Sequence, residues 1–186
     1  MDLDEIIKDF ISIRKVNWQR NWEPFLRKYK CDFVCELGVF QGDNFMEMIK
    51  HQPKLAVAVD AWKDNGQHPR KYDDYNQAEF DAQYELFKNK VEGKDFVQIV
   101  RNFTTEAAKL FSDEYFDFVY IDADHSEKAC YADIQAWYPK VKHGKFLAGH
   151  DYSRGFGVVE AVNRFVKENN LELIILRPSN WLVIKK

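Results

Sequence analysis

The hydrophobic residues of this chain follow two alternating patterns: short continuous runs, and longer segments with helical spacing. The runs Phe33–Leu37, Leu55–Val59 and Phe116–Ile121 are almost entirely apolar, which is typical of strands buried on both faces of a parallel sheet. Between such runs, apolar residues recur every three or four positions, as they do from Phe80 to Val91, and this spacing predicts amphipathic helices. Regular alternation of strands and helices predicts an α/β fold with helices on both faces of the sheet.

The same two patterns predict the other elements. The predicted strands are 33–37, 55–59, 96–100, 116–121, 145–148, 171–176 and 181–184; the predicted helices are 3–16, 22–29, 80–91 and 105–111, with further helices around Phe45, Ile134 and Val162. Only Arg-Pro-Ser-Asn joins the last two strands, and so short a connection requires an antiparallel hairpin. The sequence therefore predicts a seven-stranded, mainly parallel sheet with one antiparallel strand in a C-terminal hairpin.

Length and composition indicate a single globular domain. The chain has 186 residues, of which 46% are hydrophobic and 31% are charged, and no repeat or flexible linker divides it. We expect residues 30–186 to form the domain. Residues 1–29 are expected to be helices that pack on the domain or form a lid over it.

Net charge and cysteine content limit which binding partners and which cellular compartment we expect for this protein. The net charge of −3 offers no electrostatic footprint for nucleic acid or an acidic membrane, so neither is expected as a partner. The first ten residues lack the basic segment and the long apolar stretch of a secretory signal, and the apolar run Leu55–Val59 is too short to span a bilayer, so we expect neither a signal peptide nor a membrane span. Its three cysteines have no metal-site spacing and are expected to be free thiols in a reducing compartment. We therefore expect a cytoplasmic protein, either a monomer or a homodimer.

Polar residues follow five successive predicted strands directly. The carboxyl ends of parallel strands meet at one edge of a sheet, and ligands of such folds bind at that edge. The polar residues at or just beyond these strand ends are Glu36, Asp60, Asn102, Asp122, His150 and Asp151.

The first strand leads into a glycine turn. Gly38 permits a tight turn, and Gly42 would let a ligand approach the backbone. The spacing is not the dinucleotide fingerprint, and the acid Glu36, two residues before the first glycine, suits an ammonium group better than a pyrophosphate. Asp60 follows about twenty residues later, where nucleotide-binding folds place a ribose-binding acid. A simple chain reversal and a solvated strand-end Asp remain the alternatives, and Trp62 could pack on a flat ring or on the core.

The fourth and fifth strands end in Asp-Ala-Asp-His-Ser and Gly-His-Asp-Tyr. If these strands are neighbours, Asp122 and Asp151 face one pocket, and two carboxylates suit a hard divalent cation such as Mg²⁺. His125 and His150 could instead act as general bases. The second Asp or the Ser of the first segment could also simply cap the following helix.

Together these motifs resemble a class I S-adenosylmethionine-dependent methyltransferase over about residues 30–186. The resemblance is closest to the small O-methyltransferases that act on sugars, and more distant to the catechol and caffeoyl types. It implies a Rossmann-like methyltransferase fold, S-adenosylmethionine as cofactor and methyl transfer to a hydroxyl of a small molecule, with a sugar or glycan as the expected acceptor. A phenolic, catechol-like acceptor and a non-catalytic nucleotide-binding module are the alternatives.

The resemblance also implies roles for individual residues. The implied cofactor contacts are Glu36, Gly38, Val39, Gly42, Asp60, Ala61, Trp62, Asn102, Phe103 and Asp122. The implied ligands of Mg²⁺ or another divalent cation are Asp122 and Asp151. Tyr152 departs from the caffeoyl-type pattern, which carries an Asn ligand at that position, so a histidine or Asp151 becomes a rival means of activating the acceptor. The expected catalytic residues are therefore Asp122, His125, His150 and Asp151.

The loops over the strand ends are expected to bind the acceptor. Aromatic rings mixed with hydrogen-bonding groups suit a sugar, whose faces are apolar and whose rim is polar; the candidate contacts are Trp62, Tyr72, Tyr152 and Arg154. Other functions fit less well. An oxidoreductase would need the missing glycine fingerprint, and a nucleic-acid methyltransferase would need a basic stripe.

Overall fold

The structure is a computed structural model that describes residues 2–13, 15–16, 19–63, 76–153, 155, 157–176 and 179–186. A seven-stranded sheet forms the centre of the described part. Its strands are β1 (Phe33–Leu37), β2 (Leu55–Asp60), β3 (Val97–Arg101), β4 (Phe116–Ile121), β5 (Val141–Gly149), β6 (Ile174–Leu176) and β7 (Asn180–Ile184). Their spatial order is β3-β2-β1-β4-β5-β7-β6.

The direction of the strands confirms the predicted topology. Strands β1 to β5 pair in parallel, and β7 is antiparallel to both of its neighbours, β5 and β6. Leu37 of β1 is in register with Val59 of β2 and Ile121 of β4, and Ile121 is in register with Gly149 of β5. Four carboxyl ends therefore lie level with one another, and the strand order reverses between β1 and β4, which is where such sheets bind ligands.

Helices cover both faces of the sheet, as predicted. In the described residues they are α1 (Leu3–Ser12), α2 (Glu23–Lys28), α3 (Asp43–Met48), α4 (Gln77–Val91), α5 (Thr104–Ala107), α6 (Glu127–Trp137) and α7 (Val158–Glu168), with 3₁₀ turns at Ile49–His51, Ala108–Leu110 and Tyr138–Lys140. The short strands Lys15–Val16 and Gln19–Arg20 form a separate antiparallel ribbon.

Each face of the sheet has its own hydrophobic core. Neighbouring side chains of a strand point to opposite faces, so Val34 and Cys35 of β1 are both fully buried but lie in different cores. Helices α1 to α4 contribute their apolar residues to the core that contains Val34, and helices α5 to α7 contribute theirs to the core that contains Cys35. Burial on both faces explains why the strand sequences are apolar throughout.

The N-terminal segment contributes large side chains to the first core. Ile6 and Phe10 of α1 and Phe25 of α2 are buried there. Trp22 is fully buried, and its ring centroid lies 5.3 Å from that of Phe118 and 5.2 Å from that of Tyr120.

Some predicted boundaries were wrong, and two of the larger errors have identifiable reasons. The first helix ends at Ser12 rather than residue 16, because Ile13 leaves helical geometry and Val16 pairs with Gln19 in the ribbon. Strand β5 begins at Val141 rather than residue 145, since its first half is polar and gives no hydrophobic signal. Strand β6 begins at Ile174 rather than residue 171. No helix among the described residues is both long enough and apolar enough to cross a membrane.

Candidate functional site

The glycine turn after β1 is required by the packing of the chain on itself. Gly38 has φ of +81°, and a Cβ there would lie 2.0 Å from the carbonyl oxygen of Asp122. Gly42 has φ of +79°, and a Cβ there would lie 2.3 Å from the ring of Phe87. Both positions need glycine for conformation and for space. As a result, the loop after β1 lies directly against the loop after β4.

Glu36 is the most confined acid at this edge of the sheet. Its side chain is buried, and Oε1 accepts a hydrogen bond from Asn44 Nδ2 at 2.9 Å, while Oε2 has no partner among the described residues. Burial raises the pKa of Glu36 well above its usual value, Asn44 opposes this, and the carboxylates of Asp122 and Asp60 raise it further. A cation that reached Oε2 would satisfy the oxygen and stabilise its charge.

Asn44 connects Glu36 to the N-terminal segment. Its Oδ1 accepts a hydrogen bond of 3.0 Å from Trp22 Nε1, so the buried indole fixes the amide that holds Glu36. Sequence analysis did not select Asn44 or Trp22. An Asn in the first turn of a helix and a Trp in an apolar core have no pattern that distinguishes them as site residues.

Asp60 organises the turn that follows β2, residues 60–63, which we call the β2 turn. Its carboxylate accepts hydrogen bonds from the amides of Phe40 at 2.8 Å and Trp62 at 2.7 Å. Burial raises the pKa of Asp60, and these amides oppose the shift. Phe40 and Trp62 both have positive φ, 47° and 40°, which is uncommon for residues other than glycine. The carboxylate of Asp60 therefore holds the turns after β1 and β2 together.

The indole of Trp62 lies in the core, contrary to the prediction that its ring contacts the cofactor or the acceptor. It is 1% exposed and stacks on Phe87 with ring centroids 5.6 Å apart, and its Nε1 donates to the carbonyl of Phe40 at 2.9 Å. The alternative interpretation of this residue, packing on the core, matches the structure. Only the backbone of Trp62 remains available at the β2 turn.

A cavity of about 410 Å³ opens beside the β2 turn. Its lining residues are Ala61, Lys63, Gln77, Arg101, Asn102 and Phe103. Three of these, Ala61, Asn102 and Phe103, are predicted cofactor contacts, and Phe103 is 45% exposed. The volume lies in the range of small-molecule sites, and an exposed aromatic ring offers a surface on which a flat base can stack. A second cavity, of about 260 Å³ near α1 and α2, contains none of the predicted site residues.

The segments after β4 and β5 meet, as the neighbouring strands predict. We call Asp122, His125, His150 and Asp151 the strand-end cluster. Nε2 of His125 lies 2.8 Å from Oδ2 of Asp151 and 3.6 Å from Oδ1 of Asp122. Nδ1 of His150 lies 3.2 Å from Oδ1 of Asp151, and its Nε2 lies 3.1 Å from Oγ of Ser179. Ser179 belongs to the turn before β7, and nothing in its sequence context marked it.

In the free protein, the neighbouring carboxylates favour the protonated form of His125. The carboxylates of Asp122 and Asp151 raise the pKa of His125 to about 10, although burial opposes this. Burial alone would raise the pKa of Asp151, but the hydrogen bonds from His125 and His150 outweigh burial and lower it. Burial also lowers the pKa of His150, but Asp151 and Asp122 outweigh it, so the pKa is raised. At neutral pH His125 is thus an imidazolium ion paired with carboxylates, and it cannot accept another proton.

The remaining residues that the sequence singled out lie beside the strand-end cluster, at a helix cap, or outside the described residues. The half-buried Tyr152 donates its hydroxyl to Asn163 Oδ1 at 2.8 Å, and its amide donates to the carbonyl of Ser179. Ser126 caps α6 by accepting from the amide of Ala129, as the capping alternative predicts. Tyr72 and Arg154, the remaining candidate acceptor contacts, lie outside the described residues.

We predict that His125 titrates far above the ordinary histidine range of about 6.5. In metal-free protein, NMR of the imidazole carbons in EDTA should show a midpoint near the raised pKa of about 10. Because the folded pKa is raised, the ion pair adds stability that is complete below pH 6.5 and is lost as the pH rises through the folded pKa. Asp151→Asn should lower the midpoint. A His125 midpoint near the ordinary value of about 6.5 would contradict the ion-pair geometry.

The chain is similar in sequence to one protein family and similar in fold to several solved structures. Residues 35–152 match the protein family described as a methyltransferase domain, a span that runs from β1 to Tyr152. No protein of curated function matches the sequence significantly.

Solved structures share the fold at low sequence identity. An O-methyltransferase from Bacillus cereus in complex with S-adenosylhomocysteine (SAH) superposes with a TM-score of 0.62 at 13% identity, over 100% of this chain and 82% of that one. A candidate caffeoyl-CoA O-methyltransferase from Staphylococcus aureus gives 0.67 at 13% identity, over 100% and 93%. Spermidine synthase from Thermotoga maritima gives 0.58 at 19%, over 88% and 57%. Because differently named enzymes share it, the fold alone does not define the reaction.

Proposed function

The chain belongs to the methyltransferase domain family, and from that premise we propose that it is an S-adenosylmethionine-dependent methyltransferase acting on a hydroxyl group of a small molecule. The observation that carries the proposal is the buried carboxyl group of Glu36, whose Oε2 has no partner among the described residues. S-adenosylmethionine carries an ammonium and a sulfonium cation. Both charges would be stabilised by the acids Glu36, Asp60 and Asp122 at this edge of the sheet.

The described residues fit the two halves of this cofactor. Glu36 would accept a hydrogen bond from the ammonium group. Asp60 would accept a ribose hydroxyl, because its two oxygens offer about four lone-pair positions and the amides of Trp62, Phe40 and Val39 use three of them. The cavity at Asn102 and Phe103 would hold the adenine. When bound, S-adenosylmethionine supplies an electrophilic methyl group on sulfur.

The protein must position the acceptor hydroxyl and remove its proton. As the new oxygen–methyl bond forms and the sulfur–methyl bond breaks, that proton passes to a base. We favour His150 as this base: donation from its Nδ1 to Asp151 makes Nε2 the acceptor nitrogen, and the acceptor hydroxyl would replace Ser179 Oγ, 3.1 Å away, as its partner. His125, already protonated, would stabilise the developing negative charge on the oxygen.

The strand-end cluster also fits a divalent cation. One ligand atom each from Asp122, His125 and Asp151 lies within 4.8 Å of the others. Mg²⁺ prefers oxygen ligands only, whereas a set that adds an imidazole to two carboxylates favours transition metals, among which Mn²⁺ shares the preference of Mg²⁺ for carboxylates. Such an ion would take the place of the proton on His125 and lower the pKa of a bound hydroxyl. We therefore propose that any metal here is a transition metal.

Two acceptor classes fit this edge of the sheet. Hydrogen-bonding side chains around the cluster, among them Tyr152, Asn163 and Ser179, support a sugar or glycan hydroxyl. Similarity to O-methyltransferases that include a candidate caffeoyl-CoA enzyme supports a phenolic acceptor. Incubating the protein with methyl-deuterated cofactor and panels of sugars and catechols, and following the mass shift of the products, separates the two classes.

We predict that Glu36→Gln selectively weakens ligands that carry the amino-acid half. In calorimetric titrations, S-adenosylmethionine and SAH should lose at least about tenfold in affinity, because a charge-assisted hydrogen bond is removed. Binding of 5′-methylthioadenosine, which lacks the ammonium group, should not change. The matched control is Glu114→Gln at an exposed surface position. Equal loss for all three ligands would contradict the role of Glu36, and absence of binding to the folded parent protein would contradict the cofactor assignment.

We predict that Mn²⁺ binds more tightly than Mg²⁺ and that only Mn²⁺ binding depends on His125. Electron paramagnetic resonance and calorimetry should show Mn²⁺ affinity falling at least about tenfold in His125→Ala, as expected for loss of a ligand. The exposed His143→Ala variant should bind like the parent. If His125→Ala binds Mn²⁺ with parental affinity, the imidazole is not a ligand.

A further inference from the structure

Arg101 lies at the end of β3, with its guanidinium group against the β2 turn. Its Nη2 donates to the carbonyl oxygen of Trp62 at 3.0 Å, and its Nε donates to that of Ala61 at 3.4 Å. The same side chain forms part of the wall of the 410 Å³ cavity. Arg101 therefore contacts both the cavity and the backbone that shapes it.

Residues of α4 hold this guanidinium group in place. Asp81 forms an ion pair with Arg101, and the ring of Tyr84 lies 4.7 Å from the guanidinium carbon. Gln77 donates to the carbonyl of Trp62 at 3.0 Å and to Asp81 at 3.0 Å. The pKa of Asp81 is lowered by its hydrogen bonds from Arg101 and Gln77. Two donors, Arg101 and Gln77, thus converge on the carbonyl oxygen of Trp62, and both also donate to the carboxylate of Asp81.

The conformation of the β2 turn depends on the hydrogen bonds of Trp62. Trp62 has φ of +40°, so its conformation has to be maintained by contacts on both sides. On one side its amide donates to Asp60; on the other its carbonyl accepts from Arg101 and Gln77. Rotation of this residue would move an amide away from Asp60, the acid assigned to the ribose, and would shift Ala61 in the cavity wall.

We propose that Arg101, held by Asp81, is a positioning residue for the nucleoside half of the ligand, because together with Gln77 it fixes the β2 turn that presents Asp60 and Ala61. The inference rests on the proposed function and adds to it a residue that no strand-end pattern selected. Exposed ion pairs contribute little to stability, so the effect of Arg101 should appear in ligand affinity rather than in the melting temperature.

The test compares ligands that share the nucleoside. Arg101→Met should weaken SAH and 5′-methylthioadenosine by the same factor, at least about tenfold, because two hydrogen bonds from a charged donor are lost. Arg101→Lys should recover part of the affinity, since an ammonium group can still donate to one carbonyl. Arg164→Met is the matched control: Arg164 also pairs with an acid, Glu168, and stacks on an aromatic ring, that of Tyr131, but it lies on α7.

Each outcome separates the inference from the proposed function. Binding of SAH by the parent protein with unchanged affinity in Arg101→Met would overturn the inference and leave the function standing, and so would a loss confined to SAH. No binding of either ligand by the folded parent would overturn both. If Arg101→Met fails to fold, Asp81→Asn decides: a parallel loss for both ligands supports the inference, and parental affinity for both overturns it.

Discussion

Repulsion among carboxylates at one edge of a parallel sheet is the constraint on which this site depends. Glu36, Asp60, Asp122 and Asp151 lie at or just beyond the ends of four strands whose ends are level, so they lie close together. Three of these carboxylates have different surroundings. Backbone amides bind Asp60, histidines bind Asp151, and Glu36 is buried with one oxygen left without a partner among the described residues. A cationic ligand would stabilise that oxygen, because a buried carboxylate without a partner is energetically costly.

The fold supplies the close approach that this arrangement requires. Gly38 lets the loop after β1 lie against the backbone of Asp122, and Phe40 and Trp62 adopt left-handed conformations so that their amides reach Asp60. Asp151 also has positive φ, 53°, in the turn where it meets both histidines. Phe40, Trp62 and Asp151 are thus three non-glycine residues with positive φ that lie just after strand ends, and hydrogen bonds to the Asp60 side chain hold the first two in that conformation.

Much of this arrangement could be predicted from sequence, because strand ends are visible as the first polar residue after an apolar run. Asp122 and Asp151 came together since their strands are neighbours, and Asn102 and Phe103 do line a cavity. Residues that act through contacts distant in sequence were not visible. Asn44, Arg101 and Ser179 have ordinary local contexts, and only the folded chain brings them to Glu36, Trp62 and His150. Trp62 followed a strand end as a ligand residue would, but a turn in the left-handed region directs its indole into the core.

Oε2 of Glu36, which has no partner among the described residues, is the proposed acceptor for the ammonium group of an S-adenosyl ligand. A crystal structure of the protein with SAH would show where that ammonium group binds. We expect the ligand's amino nitrogen within hydrogen-bond distance of Glu36 Oε2, with the adenine in the cavity at Asn102 and Phe103. A ligand bound elsewhere, or one bound at this edge with its amino group directed away from Glu36, would contradict it.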